Sequence, residues 1–217
     1  MVRSIAIVSL GQGTGKTTIA LNLGLALHQL GYKVLVFDAD FTKRNMIDHL
    51  DIHNIPVSVG QVLNGDAHMT DAIYKHVTGL RIIPSTIHSY DNLSYHYQDL
   101  LGDYDYIILD TPIQLPHLEI VLQNAGEALI VHGPDYSSKF ISDAVDLLYR
   151  LRVLNLGILL NNFSEKSVNE LYDYPVLEKI PTDNDVISSF KMKNPVVQTH
   201  PNGNVSKKFH RLAKRLS

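Results

Sequence analysis

The 217-residue chain contains no cysteine. This absence excludes a disulfide-rich scaffold, a zinc site with cysteine ligands, a thiol nucleophile and an iron–sulfur cluster held by the chain itself. No stretch approaches the ~20 consecutive apolar residues of a membrane span. The N-terminus also lacks the apolar length and the small-residue cleavage site of a signal peptide. Together these absences predict a cytoplasmic protein.

Neither sign of charge dominates the sequence. The chain carries 19 lysines and arginines against 22 aspartates and glutamates, a formal net charge of −3. This balance does not support general electrostatic binding to nucleic acid or to an anionic membrane. The 11 histidines show no HExxH or His-x-His spacing, so a histidine metal site is not expected. No Pro- or Ser-rich linker interrupts the chain, which predicts one domain over residues 1–217.

Short apolar runs alternate with helical patterns along the chain. The runs are rich in Ile, Val and Leu throughout, which is typical of strands covered on both faces of a parallel sheet. They lie at residues 5–8, 33–37, 80–83, 106–109, 128–131 and 158–160. Helices are predicted over residues 16–30 and 138–152, more weakly over 90–101 and 115–124, and also within 61–76 and from 203 onward. The alternation predicts an α/β fold, a single-domain doubly wound and mostly parallel sheet with helices on both faces.

The strongest motif follows the first predicted strand and begins the first predicted helix. It reads Leu10-Gly11-Gln12-Gly13-Thr14-Gly15-Lys16-Thr17-Thr18. Glycines let the backbone curl so that several N–H groups face one anion beside a helix N-terminus, which is the geometry of a phosphate-binding loop. Lys16 is expected to neutralise the β- and γ-phosphates, the Thr17 hydroxyl to bind Mg²⁺ and Thr18 to reach the α-phosphate. A dinucleotide-binding fingerprint is disfavoured, because Lys16 stands where its third glycine belongs.

Acidic residues follow two of the predicted strands. Asp38 and Asp40 come after residues 33–37, and Asp110 comes after residues 106–109. The carboxyl ends of parallel strands are where open α/β sheets bind their ligands. Phosphoryl transfer needs groups that hold Mg²⁺ and position the attacking nucleophile. The sequence therefore predicts a metal-binding carboxylate at each strand end, although an isolated aspartate there is also a common turn residue.

These segments together resemble the MinD/ParA ATPases, the deviant-Walker-A branch of the P-loop NTPases, and are more similar to MinD. GQGTGKTT resembles the family's phosphate loop, FDADFTKRNM its first switch and YDYIILDTP its second switch. GILLNN resembles the strand end that reads adenine, KIPTDNDVISSFKMKNPVV the stretch whose proline borders the base, and SKKFHRLAKRL the last helix. The resemblance covers nearly the whole chain and implies ATP/ADP and Mg²⁺ as cofactors.

The resemblance also implies a role for each matching residue. The loop from Gly11 to Thr18 binds the nucleotide, with Gly13 to Thr18 around its phosphates. The implied catalytic residues are Lys16, Asp40 and Asp110, of which Asp40 positions the attacking water. The implied metal-binding residues are Thr17, Asp40 and Asp110. Asn161 is implied to read adenine, and Pro181 and Asp183 to line the base.

One departure concerns the lysine that gives the branch its name. In the family this lysine lies five residues before Lys16 and reaches the partner's nucleotide across a dimer, whereas here the position is Gly11. An arginine-finger-type contact is worth ~10³–10⁵ in rate, so its loss leaves two interpretations open. The chain is either a switch ATPase that dimerises on ATP, or an ATP-binding partner protein with little or no hydrolysis. Lys43 and Arg44 are the nearest cations that could replace the missing lysine.

The remaining functional predictions concern partners. The resemblance implies a protein partner or activator, an ATP-dependent homodimer, and a task in positioning or partitioning cellular machinery. A third interpretation, a small-molecule ligase or kinase similar to dethiobiotin synthetases, requires an acceptor pocket that the sequence does not reveal. The basic amphipathic tail is expected to be an ordinary packed helix rather than a membrane- or nucleic-acid-binding segment.

Overall fold

The computed structural model describes residues 2–43, 45–55, 57–163 and 174–217. These residues form a sheet of strands β1 (Arg3–Val8), β2 (Val34–Asp38), β3 (Tyr74–Lys75), β4 (Arg81–Ile83), β5 (Tyr106–Asp110), β6 (Glu127–His132), β7 (Leu154–Phe163) and β8 (Val176–Pro181). The helices are α1 (Lys16–Gln29), α2 (Asn45–Leu50), α3 (Val59–Leu63), α4 (Leu93–Tyr97), α5 (His117–Leu122), α6 (Lys139–Leu151), α7 (Asn184–Lys191), α8 (Val196–Thr199) and α9 (Asn204–Leu216). Single 3₁₀ turns lie at Met69–Ala72 and Gln98–Leu100.

The strands lie side by side in the order β3-β4-β2-β5-β1-β6-β7-β8. Every neighbouring pair is parallel except β3 and β4, which pair antiparallel at one edge. The chain passes from β1 toward the β2 side of the sheet, and later from β6 toward β7 on the other side. The two directions diverge between β1 and β6, which is the switch point where doubly wound sheets bind ligands. The predicted α/β class with a mostly parallel, doubly wound sheet is confirmed.

Two apolar layers cover the two faces of the sheet. On one face α1 packs against β2 and α9, with Leu23, Phe209 and Leu212 fully buried between them. On the other face the helices from α3 to α6 bury side chains such as Tyr97 and Leu118. Burial of both faces explains why the central strands are continuous apolar runs.

Close packing of α1 on the sheet depends on a glycine in the helix interior. A Cβ atom on Gly24 would lie 2.4 Å from Cγ2 of Val36 on β2, so only hydrogen fits there. Glycine inside a helix costs roughly 0.5–1 kcal/mol relative to alanine. The glycine lets α1 lie directly on β2 in spite of that cost. This contact places the start of the helix at the switch point.

The structure contains all six predicted strands and adds two that the sequence pattern does not reveal. Strand β8 reads VLEKIP, in which two adjacent charged residues interrupt the apolar run, and it lies at an edge of the sheet. Strand β3 has only two residues, which is too short for any periodic signal. The helix expected over residues 90–101 is divided between α4 and a 3₁₀ turn.

Helix α9 is the packed final helix that the sequence predicts. Its apolar side is buried on the core, and the buried carboxylate of Glu178 on β8 pairs with Lys208 at 3.6 Å and Arg211 at 3.5 Å. Its basic residues therefore serve partly to hold the helix to the sheet. None of the described helices has both the length and the apolar character of a transmembrane span.

Candidate functional site

The glycine-rich loop connects β1 to α1 at the switch point of the sheet. Its backbone takes left-handed conformations at Gly13 (φ 64°) and Gly15 (φ 88°), which only glycine adopts without strain. Gly15 is also the N-cap of α1, and the first turn of that helix holds no acidic residue. The unpaired N–H groups and positive end of a helix N-terminus attract an anion. The backbone thus has two features that the predicted phosphate loop requires, left-handed glycines and a helix N-terminus without acidic residues, and phosphate binding itself stays a prediction.

Three side chains from outside or before the loop hold its shape. The backbone N–H of Gly11 donates to Oγ of Ser9 at 3.1 Å. The Tyr136 hydroxyl donates to the carbonyl of Gln12 at 2.5 Å, and Nδ2 of Asn161 donates to the carbonyl of Thr14 at 2.7 Å. Ser9 and Tyr136 could not be predicted, because nothing in their spacing marks them. Asn161 reaches the loop itself, and its predicted contact with adenine stays a prediction.

Lys16 and Thr17 follow the loop and face the acidic end of β5. The Thr17 hydroxyl donates to Oδ2 of Asp110 at 2.6 Å. Burial lowers the pKa of Lys16, an effect that Lys43 reinforces and that Asp110 and Asp40 oppose. Each group is therefore close enough to the Lys16 ammonium to influence its charge. The structure brings together residues 16, 17, 40 and 110, as the sequence predicts.

Asp110 is the electrostatic centre of this cluster. Its burial raises the pKa of the carboxyl to about 6, with Asp40 adding to the rise and Lys16 and Thr17 opposing it. Its second oxygen, Oδ1, is buried and has no hydrogen-bond partner among the described residues. A buried carboxylate oxygen without a partner is costly, and a bound cation would relieve that cost.

The donor set fits Mg²⁺ bound with a phosphate group. Mg²⁺ keeps several waters and binds through one or two carboxylates plus phosphate oxygens. Thr17 and Asp110 would supply the protein oxygens, with Asp40 in the surrounding shell. Over the described ranges, no group of three or more His, Cys, Asp or Glu is placed to hold a metal ion by itself.

Asp38 and Asp40 have different structural tasks although they are separated by one residue. Asp38 is fully buried and accepts hydrogen bonds from Oγ of Ser85 at 2.7 Å and the backbone N–H of Met46 at 3.1 Å. Its burial, with Asp110 adding, raises its pKa well above the usual value. Asp38 thus anchors the segment between β2 and α2, which leaves Asp40 as the candidate for chemistry.

Hydrogen bonds fix the side chain of Asp40 and the backbone of the residues before and after it. Its Oδ1 accepts hydrogen bonds from the backbone N–H of Thr42 at 3.2 Å and from the Thr42 hydroxyl. The neighbouring backbone is fixed by Tyr90, whose hydroxyl donates to the carbonyl of Ala39 at 3.1 Å and accepts from the N–H of Phe41 at 3.0 Å. The sequence does not reveal this role of Tyr90, because its partners lie about fifty positions away.

Tyr90 also links the two segments that resemble the switches. Its ring stacks on the His117 ring with centroids 4.3 Å apart. His117 begins α5, shortly after Asp110-Thr111-Pro112. Tyr90 therefore contacts both the segment after β2, through its hydroxyl, and the start of α5 after β5, through its ring.

The predicted base-binding residues lie on or just after the neighbouring strands β7 and β8. Asn161 pairs with Ile180, the residue before Pro181. Asp183 caps α7 by accepting the backbone N–H of Asp185 at 2.8 Å. Thr18, which is predicted to reach the α-phosphate, lies in α1, and its carbonyl accepts a hydrogen bond from Nδ2 of Asn22 at 2.8 Å. None of these contacts tests the nucleotide-binding assignments, which stay predictions.

The two cations proposed to replace the missing lysine differ in what the structure shows. Lys43 is exposed, and its charge contributes to lowering the pKa of Lys16. It is therefore near the loop within the same chain. Arg44 lies outside the described residues.

Gly15→Ala should destabilise the protein more than the same change at Gly65. Both residues have a left-handed backbone, φ 88° and φ 84°, which costs alanine about 1–2 kcal/mol. A Cβ atom at Gly15 would also lie 2.4 Å from Nδ2 of Asn161, whereas nothing described lies within 4 Å at Gly65. The Asn161 amide would have to move and give up its hydrogen bond to the Thr14 carbonyl, so we expect Gly15→Ala to lose a further ~1–3 kcal/mol.

Urea unfolding of the two variants measures the difference directly. Equal losses of free energy at both positions would show that the contact between Gly15 and Asn161 is not tight in solution.

Comparison with known proteins agrees with this geometry. Residues 5–196 match the CobQ/CobB/MinD/ParA nucleotide binding domain family. An uncharacterized ATP-binding protein of Methanocaldococcus jannaschii is 32% identical over 231 residues, covering 96% of this chain and 86% of that protein. The septum site-determining protein MinD complexed with Mg-ADP, from Pyrococcus horikoshii, superposes with a TM-score of 0.90 at 29% identity and covers 100% of this chain and 96% of its own.

A further solved structure, the MinC:MinD cell division protein complex from Aquifex aeolicus, superposes with a TM-score of 0.85 at 26% identity. It covers 99% of this chain and 96% of its own. The family match spans most of the sequence and includes the glycine-rich loop, the start of α1 and the buried Asp110. The chain therefore belongs to the CobQ/CobB/MinD/ParA family of nucleotide-binding domains and is MinD-like within it.

Proposed function

We propose that this protein binds Mg²⁺-ATP in the loop between β1 and α1 and hydrolyses it slowly. The observation that carries the proposal is the buried Asp110, with Thr17 bonded to one carboxylate oxygen and no described partner for the other. The carboxylate would bind the metal of a metal–triphosphate, and Lys16 at the start of the helix would bind its phosphates. Mg²⁺, when bound, would neutralise charge on the β- and γ-phosphates.

The residues of the chain would have distinct roles in this reaction. The loop N–H groups and Lys16 hold the phosphates, and Thr17 and Asp110 orient the metal shell. Asp40 lies in a backbone segment fixed by Tyr90 and would orient the attacking water. Catalysis of this kind is electrostatic, since the protein forms no covalent bond to the substrate.

We further propose that nucleotide state controls association with a protein partner and with a second copy of the chain. Support comes from the Aquifex aeolicus relative, which was solved as a complex of MinC with MinD. The contact between Tyr90 and His117 links the two candidate switch segments and would carry a change at the γ-phosphate to the surface. Such a switch would position or partition cellular machinery.

Three measurements on the purified protein test this function. Calorimetry with Mg²⁺ and ADP or ATP should show binding, and light scattering should show dimers with ATP or a non-hydrolysable analogue but not with ADP. Phosphate release should depend on Mg²⁺. A folded protein that gives no heat with either nucleotide would contradict the proposal.

A second candidate, nucleotide binding with little or no hydrolysis, is favoured by Gly11. The space that a side chain at position 11 would enter is filled by the Tyr136 ring, whose atoms lie 2.7 Å from a Cβ built there. Glycine supplies no cation at this position, and the ring leaves no room for one. Under this candidate the protein would bind its partner while loaded with ATP and release it only by nucleotide exchange.

Lys43→Ala separates the two candidates. Lys43 is the exposed cation whose charge acts on Lys16, so it is the residue that would stabilise the transition state in place of the lost lysine. If the protein is an ATPase, we expect a ~10-fold or greater loss of turnover with little change in the ADP dissociation constant.

The matched control is Lys193→Ala, since Lys193 donates to a backbone carbonyl at Asp48 and not to the loop. Turnover that is equal in the wild type and in Lys43→Ala would exclude Lys43 as the replacement. Turnover at the buffer level in both proteins would favour the non-hydrolysing candidate.

A further inference from the structure

Tyr136 lies directly over the first half of the phosphate loop. It belongs to the segment that follows β6, across the switch point from β1. Its hydroxyl donates to the Gln12 carbonyl at 2.5 Å. Its ring meets Phe140 of α6 edge-to-face, with centroids 5.3 Å apart and planes at 71°. A side chain anchored on the α6 side of the molecule thus bonds to the middle of the loop.

Gly11 and Tyr136 are sterically matched. A Cβ atom at Gly11 would lie 2.7 Å from Cε2 and Cζ of the tyrosine ring and 2.9 Å from Cδ2. Real Cβ atoms do not approach other atoms so closely, so one of the two groups would have to move. The backbone of Gly11 is not in the left-handed region, unlike Gly13 and Gly15. A side chain at position 11 is therefore excluded by the present place of the Tyr136 ring and not by the backbone conformation of Gly11.

The middle of the loop, at Gln12 and Gly13, needs a contact from another segment to be ordered. Gln12 and Gly13 are exposed, and a Cβ atom placed on Gly13 would have no described atom within 4 Å. Ordering one backbone residue costs about 1–2 kcal/mol, and glycine loses the most freedom. Among the described residues, Ser9 bonds to the start of the loop, Asn161 to its end at Thr14, and Tyr136 to its exposed middle at Gln12.

We infer that Tyr136 is a positioning residue, which holds the phosphate loop in its anion-binding shape through its bond to Gln12 and its contact with Gly11. This inference rests on the proposed function, because the bound group is the phosphate chain of a nucleotide. A loop that is held before binding loses less conformational entropy on binding. The pair therefore raises nucleotide affinity within a single protomer, with no residue supplied by a second copy.

Tyr136→Phe removes the hydroxyl and keeps the ring. We expect the dissociation constant for Mg²⁺-ADP to rise ~3- to 10-fold, the loss of about one hydrogen bond. The melting temperature without nucleotide should fall by no more than about 2–4 °C, the effect of about one hydrogen bond in a chain of this size, because Gln12 is exposed and its carbonyl can bond to water instead. Tyr149→Phe is the matched control, since Tyr149 is 84% exposed on α6.

The steric match is tested by a double-mutant cycle. Gly11→Ala alone should weaken Mg²⁺-ADP binding ~10-fold or more, because the ring of Tyr136 is pushed off the loop. In a Tyr136→Ala background the space is open, so adding Gly11→Ala should weaken binding by a clearly smaller factor than it does in the wild type. Additive effects of the two changes would overturn the pairing.

Amide hydrogen exchange in the nucleotide-free protein keeps this inference separate from the proposed function. Tyr136→Phe should speed exchange at residues 12–15 and leave α6 unchanged, whether or not the protein binds a nucleotide. Equal exchange and equal affinity in the wild type and Tyr136→Phe would overturn the inference. A melting temperature lowered by much more than about 2–4 °C, together with faster exchange in α6, would also overturn it, since it would show a general packing role. Failure of the wild type itself to bind Mg²⁺-ADP would instead overturn the proposed function.

Discussion

Replacing Lys16 with alanine is expected to reduce Mg²⁺-dependent phosphate release by at least ~10²- to 10³-fold, the loss seen when one preorganised donor to a developing charge is removed. The Lys16 ammonium lies where the N-terminus of α1 meets Asp110 and Asp40, and it interacts with both carboxylates. Without it, the phosphates and the two carboxylates would lose the one side-chain cation of the loop, and only Mg²⁺ and the loop N–H groups would offset their negative charge. Nucleotide affinity should fall as well, because the same charge acts in the ground state.

Steady-state phosphate assays and calorimetry on Lys16→Ala measure the two losses separately. The matched control is Lys207→Ala, which removes an exposed lysine on α9, far from the loop in sequence and on another element. The control should match the wild type in both assays. A Lys16→Ala protein that keeps more than about a tenth of the turnover would show that the loop is not the site of hydrolysis.

Replacing Asp110 with asparagine is expected to have two opposite effects. Turnover and the dependence of nucleotide binding on Mg²⁺ should be lost, because the amide supplies no charge to the metal shell. The nucleotide-free protein should become more stable, by about 1–3 kcal/mol at neutral pH. The reason is that burial of the ionised Asp110 is unfavourable, as its pKa of about 6 shows.

The pH dependence of this gain follows from the direction of the pKa shift. In the unfolded chain the carboxyl has its ordinary pKa of 3.8, and in the folded protein about 6. As pH rises from about 4 to about 6, the unfolded chain loses its proton first, so the wild type loses stability relative to the variant. The gain should thus be full above pH ~6 and vanish below pH ~4. Asp38, whose pKa Asp110 also raises, changes in the same direction.

Urea unfolding of wild type and Asp110→Asn at about pH 4.5 and about pH 7.5, on either side of most of this transition, tests the prediction. Asp143→Asn, an exposed aspartate on α6, is the control and should leave stability unchanged at both pH values. Lower stability of Asp110→Asn at the higher pH would mean that the carboxylate is stabilised in the folded protein. That result would contradict a buried Asp110 carboxylate with one oxygen free to bind a metal.

The architecture was largely predictable because the central strands are buried on both faces. Each of them is a continuous apolar run, and a polar or glycine-containing segment follows each run at the carboxyl edge. The edge strands β3 and β8 were missed for the complementary reason, since an edge strand carries less of that signal. The small helices α7 and α8 were missed because they are short.

Part of the site was equally predictable. Lys16 and Thr17 follow the glycine-rich motif, and Asp40 and Asp110 follow apolar runs that predict strands. A parallel sheet brings the positions after its strands to one edge. Tyr90, Ser85 and Tyr136 could not be predicted. Each acts through a contact with a residue about forty or more positions away, as the bonds from Ser85 to Asp38 and from Tyr136 to Gln12 show.

Local patterns of burial and backbone freedom are enough to specify the parallel α/β sheet, the glycine-rich loop and the lysine, threonine and carboxylates around it. The resemblance alone singled out Asp40, and the three-dimensional contacts supplied the physical reason, since Asp38 is fully buried and bonded to Ser85, forty-seven positions along the chain. The same contacts explain why position 11 is a glycine. The Tyr136 ring occupies the volume of the missing side chain, and it comes from a segment more than a hundred residues along the chain.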